Sequence, residues 1–168
     1  MAEEIVNKVA NSGLINIDLE DWYPQGQRSC IDVKDWLFEG LILKEKEFRT
    51  AIKKYDWSVY KNQFVAIDCS NDAIVPVWAY MLITNALSPY AKIVMKGNLE
   101  QLETQLFHDI IEKLDTKEFE NQRLIIKGCS NLPIPESAYV AITKKLRPLA
   151  KSIMYGEACS SVPIFKKK

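Results

Sequence analysis

A chain of 168 residues, nearly half of them apolar, is long enough to bury one core of ordinary size. Lys plus Arg and Asp plus Glu balance at 22 each, so no net field draws the chain to nucleic acid or to an anionic membrane surface. No apolar run approaches a membrane span, Met1-Ala2-Glu3-Glu4 does not open a signal peptide, and four cysteines are too few for a disulfide framework; a soluble, cytoplasmic protein with free thiols is expected.

In chain order, Ile5, Val6 and Val9 predict a short helix stopped at Ser12-Gly13, and Ile15, Ile17 and Leu19 alternate like a half-buried strand. The turn Pro24-Gln25-Gly26 closes this N-terminal arm, residues 1–30. Ile31, Val33 and Trp36 suggest a second strand, and Phe48, Ala51, Ile52 and Tyr55 lie on one face of a helix over 44–55. Phe64 to Asp68 reads as a buried strand, Pro76 to Leu87 as an apolar helix with proline in its first turn, and Ala91 to Lys96 as another strand. Asn98 and Gln101 are spaced as a capping box before a helix carrying Leu99, Leu102, Leu106, Ile110 and Leu114 on one stripe. Arg123 to Lys127, Pro135 to Leu146 and Ser152 to Tyr155 then repeat strand, helix, strand, and a tail over 157–168 ends the chain.

The second of these series copies the first. A shift of about 59 positions lays Cys69-Ser70-Asn71 on Cys129-Ser130-Asn131, Ala79-Tyr80 on Ala138-Tyr139, and Met95 and Gly97 on Met154 and Gly156. Two copies of an αβαβ unit, 44–97 and 103–156, are therefore expected to close into one α/β domain spanning 1–168. Alternating strands and helices of this length imply a mostly parallel sheet with helices on both faces, and a crevice at the carboxyl ends of the strands where strand order reverses.

Cys69 and Cys129 sit at such strand ends, and Cys159 also follows a strand, so three thiols are placed to converge on one edge. Three cysteines can hold zinc or iron and leave a fourth position open. Cys30, at the start of a strand, belongs to the opposite edge. The alternative is that these cysteines pack as small apolar groups, and a third reading is a reactive thiol without metal. His108 points away from the Leu102, Leu106 and Ile110 stripe and so towards solvent, which leaves Asp68 and Asp72 as better additional ligands. Tyr80 and Tyr139 are expected at the crevice rim, and Asn62-Gln63 and Asn121-Gln122 as turns at the far end. Ser70 and Ser130 lie in no nucleophile elbow, and without a glycine-rich phosphate loop no nucleotide cofactor is expected.

The runs Asp35-Trp36-Leu37-Phe38-Glu39-Gly40, Ala73-Ile74-Val75-Pro76, Lys127-Gly128-Cys129-Ser130 and Ala150-Lys151-Ser152-Ile153-Met154 resemble those of an uncharacterised bacterial family, domain of unknown function 2480. The resemblance covers the whole chain and supplies no catalytic residues. It implies a genomic setting near iron-sulfur assembly genes, and with it a protein partner in that assembly. The leading expectation is thus a cytosolic accessory protein holding zinc or iron on Cys69, Cys129 and Cys159. The second is an interaction protein with buried cysteines, whose Trp22-Tyr23 region makes a partner or homodimer surface. The third is a thiol-dependent enzyme.

Overall fold

A computed structural model describes residues 13–128 and 130–168. The protein is mixed α/β, with two mostly parallel sheets and four α-helices among the described residues. The chain divides into two compact units, one from Gln25 to Glu103 and the other from Met1–Pro24 with Thr104–Lys168. The expected helix over Ile5, Val6 and Val9 lies outside the described residues.

β1 is Leu14–Ile17 and is followed by a 3-10 turn, Leu19–Trp22. β2 is Arg28–Asp32, again followed by a 3-10 turn, Val33–Trp36. Both strands are shorter than their alternation suggests, because Asp18 and Asp32 end them. Each carboxylate accepts the backbone N–H two residues on, from Glu20 at 3.0 Å and from Lys34 at 3.1 Å, and so turns the chain into a 3-10 helix.

Within Gln25–Glu103 the chain continues through α1 (Glu45–Lys54), β3 (Phe64–Asp68), α2 (Val77–Leu87) and β4 (Ile93–Lys96). The strand order is β2-β3-β4, all parallel. The core joins Ile31, Val65 and Ile67 of alternate strand positions to Phe48 and Ile52 of α1 and Ala79, Ile83 and Leu87 of α2. Trp36, Phe48, Tyr55, Trp57 and Trp78 extend it as a chain of edge-on and tilted aromatic contacts with ring centroids 4.6 to 6.2 Å apart. Arg28 donates from Nε and Nη2 to the two carboxylate oxygens of Glu103, at 2.5 and 3.3 Å, and ties β2 to the first turns of the helix that begins at Leu99.

The other unit places β1 beside β5 (Arg123–Ile126), which pairs with β6 (Ser152–Glu157), and these three are parallel. α3 (Leu99–Lys113) precedes β5, and α4 (Glu136–Leu146) connects β5 to β6. Ile17, Leu124, Ile126 and Ile153 share a core with Phe107 and Ile111 of α3 and Ala138, Ile142 and Leu146 of α4. The order of elements is that of the first unit, with one addition. β7 (Ser160–Lys166) returns antiparallel along the outer edge of β6. The tail is thus a strand despite Pro163, which an edge strand tolerates and which sits where the ladder shifts register between Ile153 and Met154.

Two expectations are corrected. The strands form a four-stranded and a three-stranded sheet rather than one, and the strand order reverses in neither. Because β2-β3-β4 and β1-β5-β6 each step the same way, right-handed crossovers put successive helices on the same face, so α1 and α2, which touch, share one core, as do α3 and α4. Helices on both faces of a sheet and a switch-point crevice are therefore replaced by two two-layer units. The turns before β3 and β5 agree with expectation: Asn62 and Asn121 take left-handed backbone with φ of 62° and 56°, which asparagine tolerates.

Candidate functional site

Beyond the carboxyl ends of β3 and β5 lie Ser70-Asn71 in one unit and Ser130-Asn131 in the other, each held by a carboxylate from the strand or 3-10 turn that opens its own unit. In Gln25–Glu103, the Ser70 N–H donates to Asp32 Oδ1 at 3.1 Å, and Asn71 Nδ2 donates to the Gly40 carbonyl at 2.8 Å. Burial alone would raise the Asp32 carboxyl, but hydrogen bonds from Ser70 and Lys34 outweigh it and bring the group down to about 2. Asp68 faces Asp32 in the strand register. Cys69 is half-buried against the core, and its thiol donates to the Asn71 carbonyl at 3.5 Å.

In the other unit, Lys127 Nζ donates to Asp18 Oδ2 at 2.7 Å. Glu20 Oε1 accepts from the Ser130 hydroxyl at 2.8 Å, from the Leu132 N–H at 3.1 Å and from the Asn131 N–H. These bonds, led by that of Ser130, pull the Glu20 carboxyl below its ordinary value. The serines are accordingly loop fasteners. Asp18, Glu20 and Asp32 are the residues that sequence reasoning missed, although a signal was present: Ile17-Asp18-Leu19-Glu20-Asp21-Trp22 recurs as Ile31-Asp32-Val33-Lys34-Asp35-Trp36.

The three cysteines expected to converge are not brought together by anything described. Cys69 and Cys159 belong to different units, and Cys129 lies outside the described residues. Cys159 is exposed in the turn between β6 and β7. Among the described residues no group of three or more His, Cys, Asp or Glu side chains is placed to hold a metal ion, so the zinc or iron site on Cys69, Cys129 and Cys159 is not supported. Asp72 is exposed in its loop, and His108 is exposed as expected, its Nδ1 3.9 Å from Asp109 Oδ1. Cys30 differs from expectation: it is in the middle of β2, opposite Ala66, rather than at the strand's start. Desolvation, then Asp68 and Asp32, raise its thiol above the ordinary range. Trp22 and Tyr23 are half-buried on the core, Tyr23 with its ring centre 6.1 Å from that of Phe107.

The open apolar surface lies elsewhere. On Gln25–Glu103, Ile74 is 93% exposed, Val77 73% and Met81 65%. Two adjoining grooves meet at Ala73, one bordered by Leu41, Ile42 and Ile74 and the other by Val77, Tyr80, Met81 and Lys96. Tyr80 thus borders the second groove, which is not the switch-point crevice at whose rim it was expected. Its hydroxyl is raised by desolvation and by Cys69, Asp68 and Asp32. In the other unit the matching groove is bordered by Tyr139, Val140, Thr143 and Tyr155, and Ile164 of β7 forms part of its wall.

Comparison with protein-family models matches residues 3–167 to DUF2480, a protein family of unknown function. The chain belongs to that family. Neither a curated protein nor a solved structure matches it. Among the described residues, no helix is long and apolar enough to cross a membrane.

Proposed function

We propose that this protein is a non-catalytic interaction module built by internal duplication, with its partner-binding face on the unit Gln25–Glu103. The observation that carries this reading is the exposed row Ile74, Val77 and Met81 with Leu41 and Ile42 beside it. Contiguous exposed apolar side chains on a folded chain mark contact surfaces. The duplicate positions argue that the row is a feature of one unit only: Ile74 and Val77 correspond to Pro133 and Glu136 in the other.

The duplication reading draws support from element order, which runs strand, 3-10 turn, helix, 3-10 turn, strand, helix, strand in both units. It implies that one copy was inserted after the first strand and 3-10 turn of the other. The repeat is then longer than 44–97 and 103–156, because each copy includes β1 or β2 and the Asp-capped turn that follows.

The test is capture from cells with the wild-type chain and with the Ile74→Asp, Val77→Asp double variant, combined with elemental analysis of protein purified without a metal-affinity tag. The reading expects a defined stoichiometric partner on the wild type, its loss from the folded variant, and under about a tenth of a metal equivalent per chain, since a dedicated three-thiolate site fills. One equivalent of zinc or iron, with the same proteins captured by both chains, would return the metal-carrier reading.

A further inference from the structure

β6 and β4 occupy the same place in their units, yet only β6 has a strand on its outer side. β7 runs antiparallel there, with Val162 opposite Tyr155 and Phe165 opposite Ile153, and its Ile164 walls the groove that Tyr139, Val140 and Tyr155 also line. By the same shift, Val94 stands for Ile153, Lys96 for Tyr155, and Tyr80 and Met81 for Tyr139 and Val140. β4 is the edge of its sheet, and its groove of Tyr80, Met81 and Thr84 is lined by no counterpart of Ile164 among the described residues. The Lys96 ammonium lies 5.5 Å from the centre of the Tyr80 ring, at the groove's rim.

The parallel ladder fixes which backbone groups are open. The Gly97 N–H donates to the Ile67 carbonyl, and Ile67 is paired with Lys96. Groups of Ile93 and Met95 therefore face β3, and those of Val94 and Lys96 face outward. Such an edge invites strand addition, in which main-chain bonds supply affinity and alternate pockets supply selection. Lysines are the usual guard against edge pairing, and Lys92 and Lys96 are both exposed here. A second copy of β4 would bring four lysines onto one short ladder, whereas an acidic strand would turn the guard into a point of recognition.

We propose that the outer edge of β4 receives an extended peptide of a partner protein, antiparallel to β4, with an apolar side chain between Tyr80 and Met81 and acidic residues opposite Lys96 and Lys92. This rests on the reading of Gln25–Glu103 as a binding module and specifies how it binds. The added strand supplies an apolar side chain on the side of the groove that Ile164 walls in the other unit, and the ladder fixes direction and register.

The probe is a labelled synthetic peptide of the Ser160–Lys167 sequence carrying Val162→Glu and Lys167→Glu, titrated against the full chain by fluorescence anisotropy. Saturable one-to-one binding is expected, weakened about tenfold or more by Met81→Glu and by Lys96→Glu. Lys96→Glu should in turn favour a peptide with Lys in place of both glutamates. Failure to saturate at millimolar peptide, equal binding by folded Met81→Glu, or tighter binding of the unaltered Ser160–Lys167 peptide would overturn the proposal. A dimer in sedimentation that Lys96→Glu abolishes would also overturn it, by giving the edge to a second copy. If the peptide fails while the Ile74 and Val77 variant still loses its captured partner, the strand is wrong and the binding face stands.

Discussion

Lys127 and Asp18, 109 residues apart in the chain, form an ion pair at 2.7 Å across neighbouring strands, at the place where the other unit sets Asp68 beside Asp32. One unit therefore pairs its two strand ends with each other, and in the other Asp32 lies beside Asp68 and takes its cation from Lys34, at 3.2 Å, within its own turn. Asp32 keeps its charge through the donors of Ser70 and Lys34, and that dependence makes the loop sensitive to acid.

Asp32→Asn should destabilise the protein by about 1–2 kcal/mol near pH 7, the usual cost of a lost capping and charge-assisted bond. The folded carboxyl lies at about 2 against an ordinary 3.8. Its stabilisation is thus complete above about pH 4 and fades as pH falls towards 2. Denaturant titrations of wild type and variant should diverge at neutral pH and converge near pH 2; a constant difference would show that the carboxylate is not the source.

Glu20→Ala removes the single acceptor shared by Ser130, Asn131 and Leu132. Amide exchange at Leu132 should quicken about tenfold or more, while the β5 amides keep their protection, because the loss is local.

Gly156 has φ of 116°, and a Cβ there would meet the Ser160 carbonyl oxygen at 2.6 Å. Gly156→Ala should cost about 1–3 kcal/mol, since backbone on both sides of the hairpin must shift. Thermal unfolding reads the loss directly, and an unchanged melting temperature would contradict the close approach.

Cys30 is exposed, but desolvation and the carboxylates of Asp68 and Asp32 disfavour its thiolate. Asp68→Asn should speed its alkylation by iodoacetamide about two- to threefold at pH 8, because only the thiolate reacts. Mass-spectrometric labelling of the Cys30 peptide checks this.

Much of the framework was legible from periodicity. Phe64–Asp68 and the helices after Pro76 and Pro135 appear where their apolar runs place them, and Asn98 and Gln101 do cap one another at 2.9 Å each way. The division into two sheets was not legible, because strand order depends on which neighbours pair and not on the pattern within a strand. β7 was hidden by Pro163 and by the polar start Ser160-Ser161. Among the candidate site residues, spacing gave no measure of distance between cysteines on separate loops. The anchoring carboxylates were masked by a second recurrence, 14 residues apart, lying upstream of the longer one.

The central claim is that Ile74, Val77 and Met81 form the contact surface, and Met81 reports on it chemically. Met81 is 65% exposed, so hydrogen peroxide should oxidise its thioether readily in the free chain. In the captured complex, peptide mass spectrometry should find Met81 protected while the Val140 region of the other unit keeps its free-chain hydroxyl-radical labelling. Equal oxidation of Met81 in free and captured protein would contradict the account.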